Sequence, residues 1–282
     1  MNSIIILVDY FGNWPEWFPL YLETCRYNPS IDWLFHSDCE WPFGTFPNIK
    51  YVHISKQEYL ARVSEVLGIN FTLSTHYKIC DLRPTFGILH SEDIIGYDFF
   101  GYGDVDVLYG NVRQFCTPDV LTKHVFSTHA WGVSGHFALF RNTPLICEAF
   151  LAVNDWQAML ENPQPQRFDE DIFSEVFRTP QYASLLHWAE AYTTPLIPRA
   201  WWNGSLEHPQ TWYWKKGVVT NDQDGSREFI YVHFMNYKEA RFLNPIYGNR
   251  AFWSNLDKIV HVTPEDYSRG VRLDRTGIHS LA

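Results

Sequence analysis

Ile4-Ile5-Ile6-Leu7-Val8-Asp9-Tyr10-Phe11-Gly12 opens the chain with an apolar, β-branched run that ends in an aspartate, two aromatics and a glycine. The run is too short to span a bilayer, and Met1-Asn2-Ser3 before it lacks the basic residues of a secretory leader. It therefore reads as a first buried strand over Ile4 to Tyr10. Two more runs of the same kind, Ile31 to Phe35 and Tyr51 to Ile54, lie between turn residues and read as strands. Helical stretches separate them. Pro19 to Arg26 forms one. Ser55-Lys56-Gln57-Glu58 is a capping box, followed by Tyr59, Leu60, Val63, Val66 and Leu67 on one face and by Gly68 as a stop. Such alternation predicts an α/β fold with a mostly parallel sheet flanked by helices. Ligands in these sheets sit at the carboxyl ends of strands. That rule points to Asp9, Tyr10, Phe11 and Gly12 after the first strand, and to Ser37 and Asp38 after the second.

The chain is 282 residues long, and α/β cores often run to this length as one domain. A single domain over 1–282 is expected. Twenty-two Lys and Arg against 32 Asp and Glu give a net charge of −10. That balance argues against a general nucleic-acid or anionic-membrane surface, both of which need clustered cations. Aromatics reach 17% of the chain. They fit a heavy core, and equally a sugar site, where pyranose C–H faces stack on indole and phenol rings. Five widely spaced cysteines without a C-x-x-C pair fit reduced thiols in a cytoplasmic setting. No stretch of about 18 apolar residues occurs, so any membrane link would be peripheral.

The second half is less regular. Thr143-Pro144 predicts a helix to about Leu160, and Asp169 reads as the N-cap of a helix over Glu170 to Arg178. Pro195 to Trp214, rich in Trp, Pro and Gly, reads as ordered loop, and Phe229 to Phe234 as a late strand carrying a histidine.

Three Asp-x-Asp pairs occur among 17 aspartates, where chance predicts about one. Asp222-Gln223-Asp224-Gly225 is a polar turn. Asp104-Val105-Asp106 instead lies within Tyr97-Asp98-Phe99-Phe100-Gly101-Tyr102-Gly103-Asp104-Val105-Asp106-Val107-Leu108-Tyr109-Gly110, otherwise largely apolar. In an extended segment both carboxylates point to one side. Two like charges beside a hydrophobic strand need a compensating cation, and hard carboxylate oxygens suit Mg²⁺ or Mn²⁺. An exposed pair at a strand end is the other reading.

A strand, then apolar-Gly-Asp-x-Asp, then an acidic helix start and a late histidine together resemble GT-A glycosyltransferases. That is a Rossmann-related class using a nucleotide-sugar donor and a D-x-D-bound metal. Tyr77-Lys78-Ile79-Cys80-Asp81-Leu82-Arg83-Pro84-Thr85-Phe86-Gly87, the Asp98 to Gly110 block, Gly135-His136-Phe137-Ala138-Leu139-Phe140-Arg141-Asn142 and Phe168-Asp169-Glu170 are more closely similar to bacterial proteins found among capsule and lipopolysaccharide genes. Those proteins are distantly similar to glycogenin-like retaining transferases.

The resemblance implies a GT-A-like fold with an irregular, aromatic-rich C-terminal part. Residues 1–115 would form the nucleotide-sugar and metal half, and 116–282 the acceptor half. Asp9, Tyr10, Phe11, Gly12 and Asp38 would hold the nucleoside, with Tyr77, Lys78, Asp81, Arg83 and Val105 lining the rest of the donor site. Asp104, Asp106 and His233 would bind Mn²⁺ or Mg²⁺. Lys238 would face the diphosphate, although the Gly, Pro and Trp of the family's pattern after the histidine are missing here. Asp169 or Glu170 would stabilise the developing oxocarbenium or position the acceptor hydroxyl. Glu170 stands where the family has Gln, leaving general base, nucleophile and hydrogen-bond partner open. His136 would contact acceptor or serve as a core histidine, and Trp201, Trp202, Trp212, Tyr213 and Trp214 would stack on acceptor or fill a core.

The implied activity is transfer of a hexose, from a UDP-sugar by preference and with retention favoured, to a saccharide or glycolipid acceptor in surface polysaccharide synthesis, at the inner face of the membrane or in the cytoplasm. A metal-dependent phosphohydrolase, a non-catalytic carbohydrate-binding module and a phage-type transferase acting on modified DNA bases are the alternatives.

Overall fold

A computed structural model describes residues 1–129, 132–183, 186–188, 209–238 and 252–281. The chain forms two compact units that interleave along the sequence. One takes Met1–Asn13, Ser30–Asp104 and Cys116–Glu190, the other Trp14–Pro29, Val105–Phe115 and Ala191–Ala282.

In chain order the first strands are β1 (Ile4–Asp9), β2 (Asp32–Ser37), β3 (Ile49–His53), β4 (Phe99–Gly103), β5 (Val107–Tyr109), β6 (Val125–Ser127), β7 (Phe137–Arg141) and β8 (Leu186–Trp188). All but β5 build the sheet of the first unit, in the order β3-β2-β1-β4-β7-β6-β8. Within it β7 alone is antiparallel to its neighbours β4 and β6, and the remaining pairings are parallel. This is the mostly parallel sheet expected from strand–helix alternation. The chain moves outward from β1 to β3, then returns with β4 to the other side of β1. Sheets of this class place ligands at such a switch point, off the carboxyl ends of the strands.

Residues 4–8 of β1 and every residue of β4 are buried, which explains their continuous apolar reading. Helix α1 (Phe18–Arg26) belongs to the second unit, and α2 (Lys56–Leu67) to the first. The capping box of α2 forms as read. The Ser55 hydroxyl accepts from the Glu58 N–H at 3.2 Å and the Glu58 carboxylate accepts from the Ser55 N–H at 2.9 Å, while Gly68 ends the helix at φ 64°. Tyr59, Val63 and Leu67 join Ile5, Leu7 and Leu34 in the core. Each such burial contributes about 1.5–3 kcal/mol. Val66, expected on the same face, is 42% exposed, so the buried stripe is narrower than the sequence implied.

Two expected helices are corrected. The stretch after Thr143 breaks into Pro144–Cys147, a tight turn over Ala149–Ala152 and Trp156–Glu161, the last break falling where Asp155 adopts a left-handed φ of 57° that no helical ladder passes. Asp169 is not an N-cap. Arg167, with φ 55°, opens a single π turn over Phe168–Ile172 that runs on into a helix Phe173–Phe177.

In the second unit β5 pairs antiparallel with β11 (Tyr231–His233), confirming the late strand that ends in a histidine. Strands β9 (Trp212–Lys215), β10 (Val218–Asn221), β12 (Val260–His261), β13 (Val271–Asp274) and β14 (Gly277–Ser280) make a five-stranded sheet, β10-β9-β13-β14-β12. Over these residues the C-terminal part is regular sheet, not the irregular segment expected. Trp212 and Trp214 lie in its core, so these two are packing residues, and the Trp214 indole N–H donates to the Tyr109 carbonyl at 2.8 Å. No helix among the described residues is long and apolar enough to cross a membrane.

Candidate active site

Asp104 follows β4 directly, at the carboxyl end of the switch-point strand. The pair Asp104/Asp106 is not extended, as the sequence suggested: residues 104–106 bend between β4 and β5, which pair in different sheets. The Asp104 N–H donates to the His136 carbonyl at 3.1 Å, the contact just beyond the Gly103–Phe137 pair of the ladder. The loop entering β7 thus fixes where the Asp104 carboxylate begins.

Arg83 organises the rest. Its guanidinium donates to the Asp104 carboxylate, to the Asp169 carboxylate at 3.1 Å and to the Gly135 carbonyl, with the Tyr102 ring 5.2 Å below. The side chain is 12% exposed. The resemblance places Arg83 in the lining of the donor site. Its donors are instead engaged by two carboxylates and a carbonyl, and its role is to hold those carboxylates together.

Lys78 and Asp81 are corrected more sharply. Both are buried, at 0% and 2% exposure, and they pair with each other at 2.9 Å. The Lys78 ammonium also donates to the Met159 carbonyl at 2.8 Å. The Asp81 carboxylate accepts from the Gln166 and Phe168 N–H groups at 2.7 and 2.9 Å. A buried charge must be paired and fully hydrogen-bonded to persist. Here that pairing caps the turn carrying Asp169 and Glu170, and neither residue is available to a sugar or a phosphate.

The turn itself sets two acids side by side. The Glu170 carboxylate accepts from the Gly135 N–H at 3.1 Å, and a Cβ on residue 135 would lie 2.6 Å from the same oxygen, so only glycine permits the approach. Burial, reinforced by Glu170, Asp81 and Asp104 and opposed by Arg83, pushes the Asp169 carboxyl up to about 8. Burial also raises Glu170, against the opposing Gly135 N–H and Arg167. The Glu170 side chain keeps 23% exposure against 6% for Asp169. Glu170 is therefore the more exposed of the two acids, and Asp169 its buried neighbour. Single π turns are frequent at functional sites.

Asp106 lies in the second unit, 6% exposed, with its carboxylate 3.4 Å from His233 Nε2 and 3.2 Å from Lys238 Nζ. Pairing of His233 with Val107, and the Phe234 N–H on the Asp106 carbonyl at 3.1 Å, bring these groups together. The Val105 carbonyl accepts from the Trp17 indole at 2.9 Å, and Lys238 stands 5.7 Å from that ring. Lys238 and His233 hold the Asp106 carboxylate ionised despite its burial.

The expected nucleoside residues divide. Gly12 is exposed with φ 117°, and its N–H donates to the half-buried Asp38 carboxylate at 2.8 Å. The Tyr10 hydroxyl donates to the Asn13 carbonyl at 2.8 Å. Phe11 is 5% exposed against the Tyr59 ring, and so a core residue. Asp9 is a correction. Its side chain is 1% exposed and bonded to His36, His90 and Tyr59, so it faces inward and not toward a nucleoside. Tyr77 is 40% exposed, and His136 is buried edge-on to His129. Trp201 and Trp202 lie outside the described residues. The sequence reading missed His36, His90, Asp93 and Tyr59, for which residue spacing carried no signal.

The sequence matches, over residues 5–262, the model of a family described as a family of unknown function, DUF6625, and the chain belongs to it. No curated protein matches the sequence. Solved structures that match include mouse xyloside xylosyltransferase 1 in its apo form, at 12% identity over 71% of this chain and 89% of that one, with a TM-score of 0.40. A glycosyltransferase involved in glycosylation of the major capsid of PBCV-1 matches at 12% identity over 67% and 81%, TM-score 0.37. The galactosyltransferase LgtC, in complex with donor and acceptor sugar analogues, matches at 11% over 93% and 98%, TM-score 0.34.

Proposed function

We propose that this member of the DUF6625 family is a metal-dependent glycosyltransferase that moves a sugar from a nucleotide-diphosphate donor to a hydroxyl of a saccharide or glycolipid acceptor. The observation that carries the reading is the Arg83 clamp, which joins Asp104, at the carboxyl end of the switch-point strand, to Asp169 on the π turn beside Glu170. Asp81, Asp104, Asp169 and Glu170 outnumber Lys78 and Arg83, and such a surplus of acid favours a divalent cation or a retained proton.

Sugar transfer from a diphosphate develops negative charge on the leaving phosphate and positive charge at the anomeric carbon. The donor set of Asp106 carboxylate and His233 imidazole, with Asp104 two residues earlier in the chain, is the hard-oxygen and nitrogen chemistry that Mn²⁺ or Mg²⁺ accepts. Bound there, the ion would act as a Lewis acid on the diphosphate. Lys238 adds positive charge beside Asp106. Glu170, the more exposed acid, stabilises the anomeric carbon or orients the acceptor hydroxyl, and Asp169 sets its position. A UDP-hexose donor, retention of configuration and a place in surface polysaccharide assembly at the inner face of the membrane are the finer reading, supported by the sequence resemblance.

A panel of nucleotide sugars with Mn²⁺, scored by thermal shift and then by slow donor hydrolysis, tests this. One donor is expected to stabilise the chain and release its nucleoside diphosphate only with metal. Cleavage within the diphosphate of the same donors, giving nucleoside monophosphate and sugar 1-phosphate with no free sugar, would favour the phosphohydrolase instead.

A further inference from the structure

Tyr77, an aromatic that the Arg83 clamp does not use, keeps its ring at the surface of the first unit. Its neighbours in the chain fix its place. Ser74 donates its N–H and its hydroxyl to the Pro163 carbonyl at 3.0 and 2.6 Å, Lys78 reaches the Met159 carbonyl, and Asp81 accepts from the Gln166 and Phe168 N–H groups. Residues 74–81 are thereby laid along residues 159–168, which sets Tyr77 beside Arg167. Burial works against the Arg167 charge, while Asp171, Glu170 and the Tyr77 phenol raise its pKa, so all three lie within electrostatic reach of the guanidinium.

The backbone of Arg167, at φ 55°, is in the left-handed region, where glycine is at ease and a side chain costs free energy. Residues held there against that cost cluster at ligand clamps. The guanidinium makes a two-bond pair with Asp171, Nε to Oδ2 at 2.8 Å and Nη2 to Oδ1 at 3.1 Å, and Nη2 lies 3.7 Å from Glu170 Oε2. Glu170 Oε1 is the oxygen held by the Gly135 N–H, so Arg167 flanks the other one. Both members of the ion pair keep about half of their side-chain surface exposed.

Taken as a unit, Arg167 and Asp171 are neutral. The pair offers N–H donors beside carboxylate lone pairs, which suits hydroxyl groups better than a phosphate. An aromatic ring next to it supplies an apolar face for the C–H side of a pyranose. We propose that Tyr77, Arg167 and Asp171 form the subsite that holds the saccharide acceptor against Glu170, with the acceptor ring on Tyr77 and its hydroxyls on the ion pair. The subsite takes a neutral sugar, since an anionic one would be repelled by Asp171 or have to displace it. Tyr77 thus passes from the donor lining, where the resemblance places it, to the acceptor side. The assignment rests on the glycosyltransferase reading, and within it these residues determine specificity without touching the bonds that break and form.

The test pairs kinetics with binding on the whole chain. Arg167→Gly is the informative variant, because glycine accepts the left-handed backbone and an exposed ion pair adds little stability, so urea unfolding should stay near wild type. Maltose, cellobiose and lactose serve as neutral acceptor probes, with cellobiouronic acid as the acidic one. For the disaccharide used best, KM should rise about tenfold in Arg167→Gly and in Tyr77→Ser, and Tyr77→Phe, which keeps the ring, should stay close to wild type. The thermal shift given by the nucleotide sugar should persist in all three. The same disaccharide, titrated into the wild-type chain, should move the amide resonances of Tyr77 and Arg167. An unchanged KM in Arg167→Gly, a lost donor shift with acceptor KM intact, preference for cellobiouronic acid, or disaccharide titrations that leave both resonances in place would overturn the assignment. Absence of donor hydrolysis by the wild-type chain would instead sink the transferase reading, and the amide titration would still decide whether these residues hold a sugar.

Discussion

Gly135 and Glu170 show how little separates packing from chemistry at one position. A methyl group on residue 135 would lie 2.6 Å from the Glu170 carboxylate that its own N–H now holds. Gly135→Ala should cost about 1–3 kcal/mol in denaturant stability. It should also lower transfer about a hundredfold by moving that carboxylate. Restored wild-type rates in a folded Gly135→Ala would remove Glu170 from the reacting centre. Asp169 supplies a pH dependence. Burial and its acidic neighbours raise its carboxyl from 3.8 to about 8, so the folded chain holds this proton more tightly than the unfolded one. Folding then takes up a proton between about pH 4 and 8, and this group's contribution falls as pH rises through that window. Asp169→Asn should flatten the decline in stability between pH 5 and pH 8 measured by urea unfolding; an unchanged slope would assign the proton elsewhere. That Asp104, Asp169 and Glu170 are candidates for one site could be read from the sequence, and Arg83 joins the first two. The work of Arg83, Lys78, Asp81 and Asp9 was not legible, because a charged side chain reads alike whether it meets a ligand or a buried partner.

Elements legible in the sequence are those whose cause is local. The capping box at Ser55 and Glu58 and the stop at Gly68 need no distant partner, and all appear where expected. Ser55→Ala should accordingly cost only about 1 kcal/mol. The π turn at Phe168–Ile172 is the opposite case. It depends on Arg167 in a left-handed conformation and on Asp81, some 87 residues earlier, accepting its Phe168 N–H. Asp81→Ala should therefore strip the turn of its cap and strand a buried Lys78 charge, at about 3–5 kcal/mol. Adding Lys78→Met should recover part of that loss, and a double variant no more stable than Asp81→Ala alone would show that the cap, and not the charge, carries the effect. The bend at 104–106 escaped for a related reason: Asp-Val-Asp between two apolar runs reads as continuous strand, and only the pairing of β4 and β5 in separate sheets bends it.

At the scale of the molecule, alternation of strand and helix was enough to imply a mostly parallel sheet, and the switch between β1 and β4 then locates Asp104. Interleaving of two units along the chain was not legible, since it rests on which distant segments pack together. Acids in the first unit hold Arg83, and Asp106 in the second holds Lys238 and His233. The central claim is that these acids serve metal-assisted transfer from a nucleotide-diphosphate sugar. It is tested most directly by nucleoside diphosphate release with and without Mn²⁺, for the wild-type chain and for folded Asp104→Asn side by side. The account predicts release that requires Mn²⁺ and falls by about two orders of magnitude in the variant. Equal release by both proteins, or undiminished release in metal-free buffer, would contradict it.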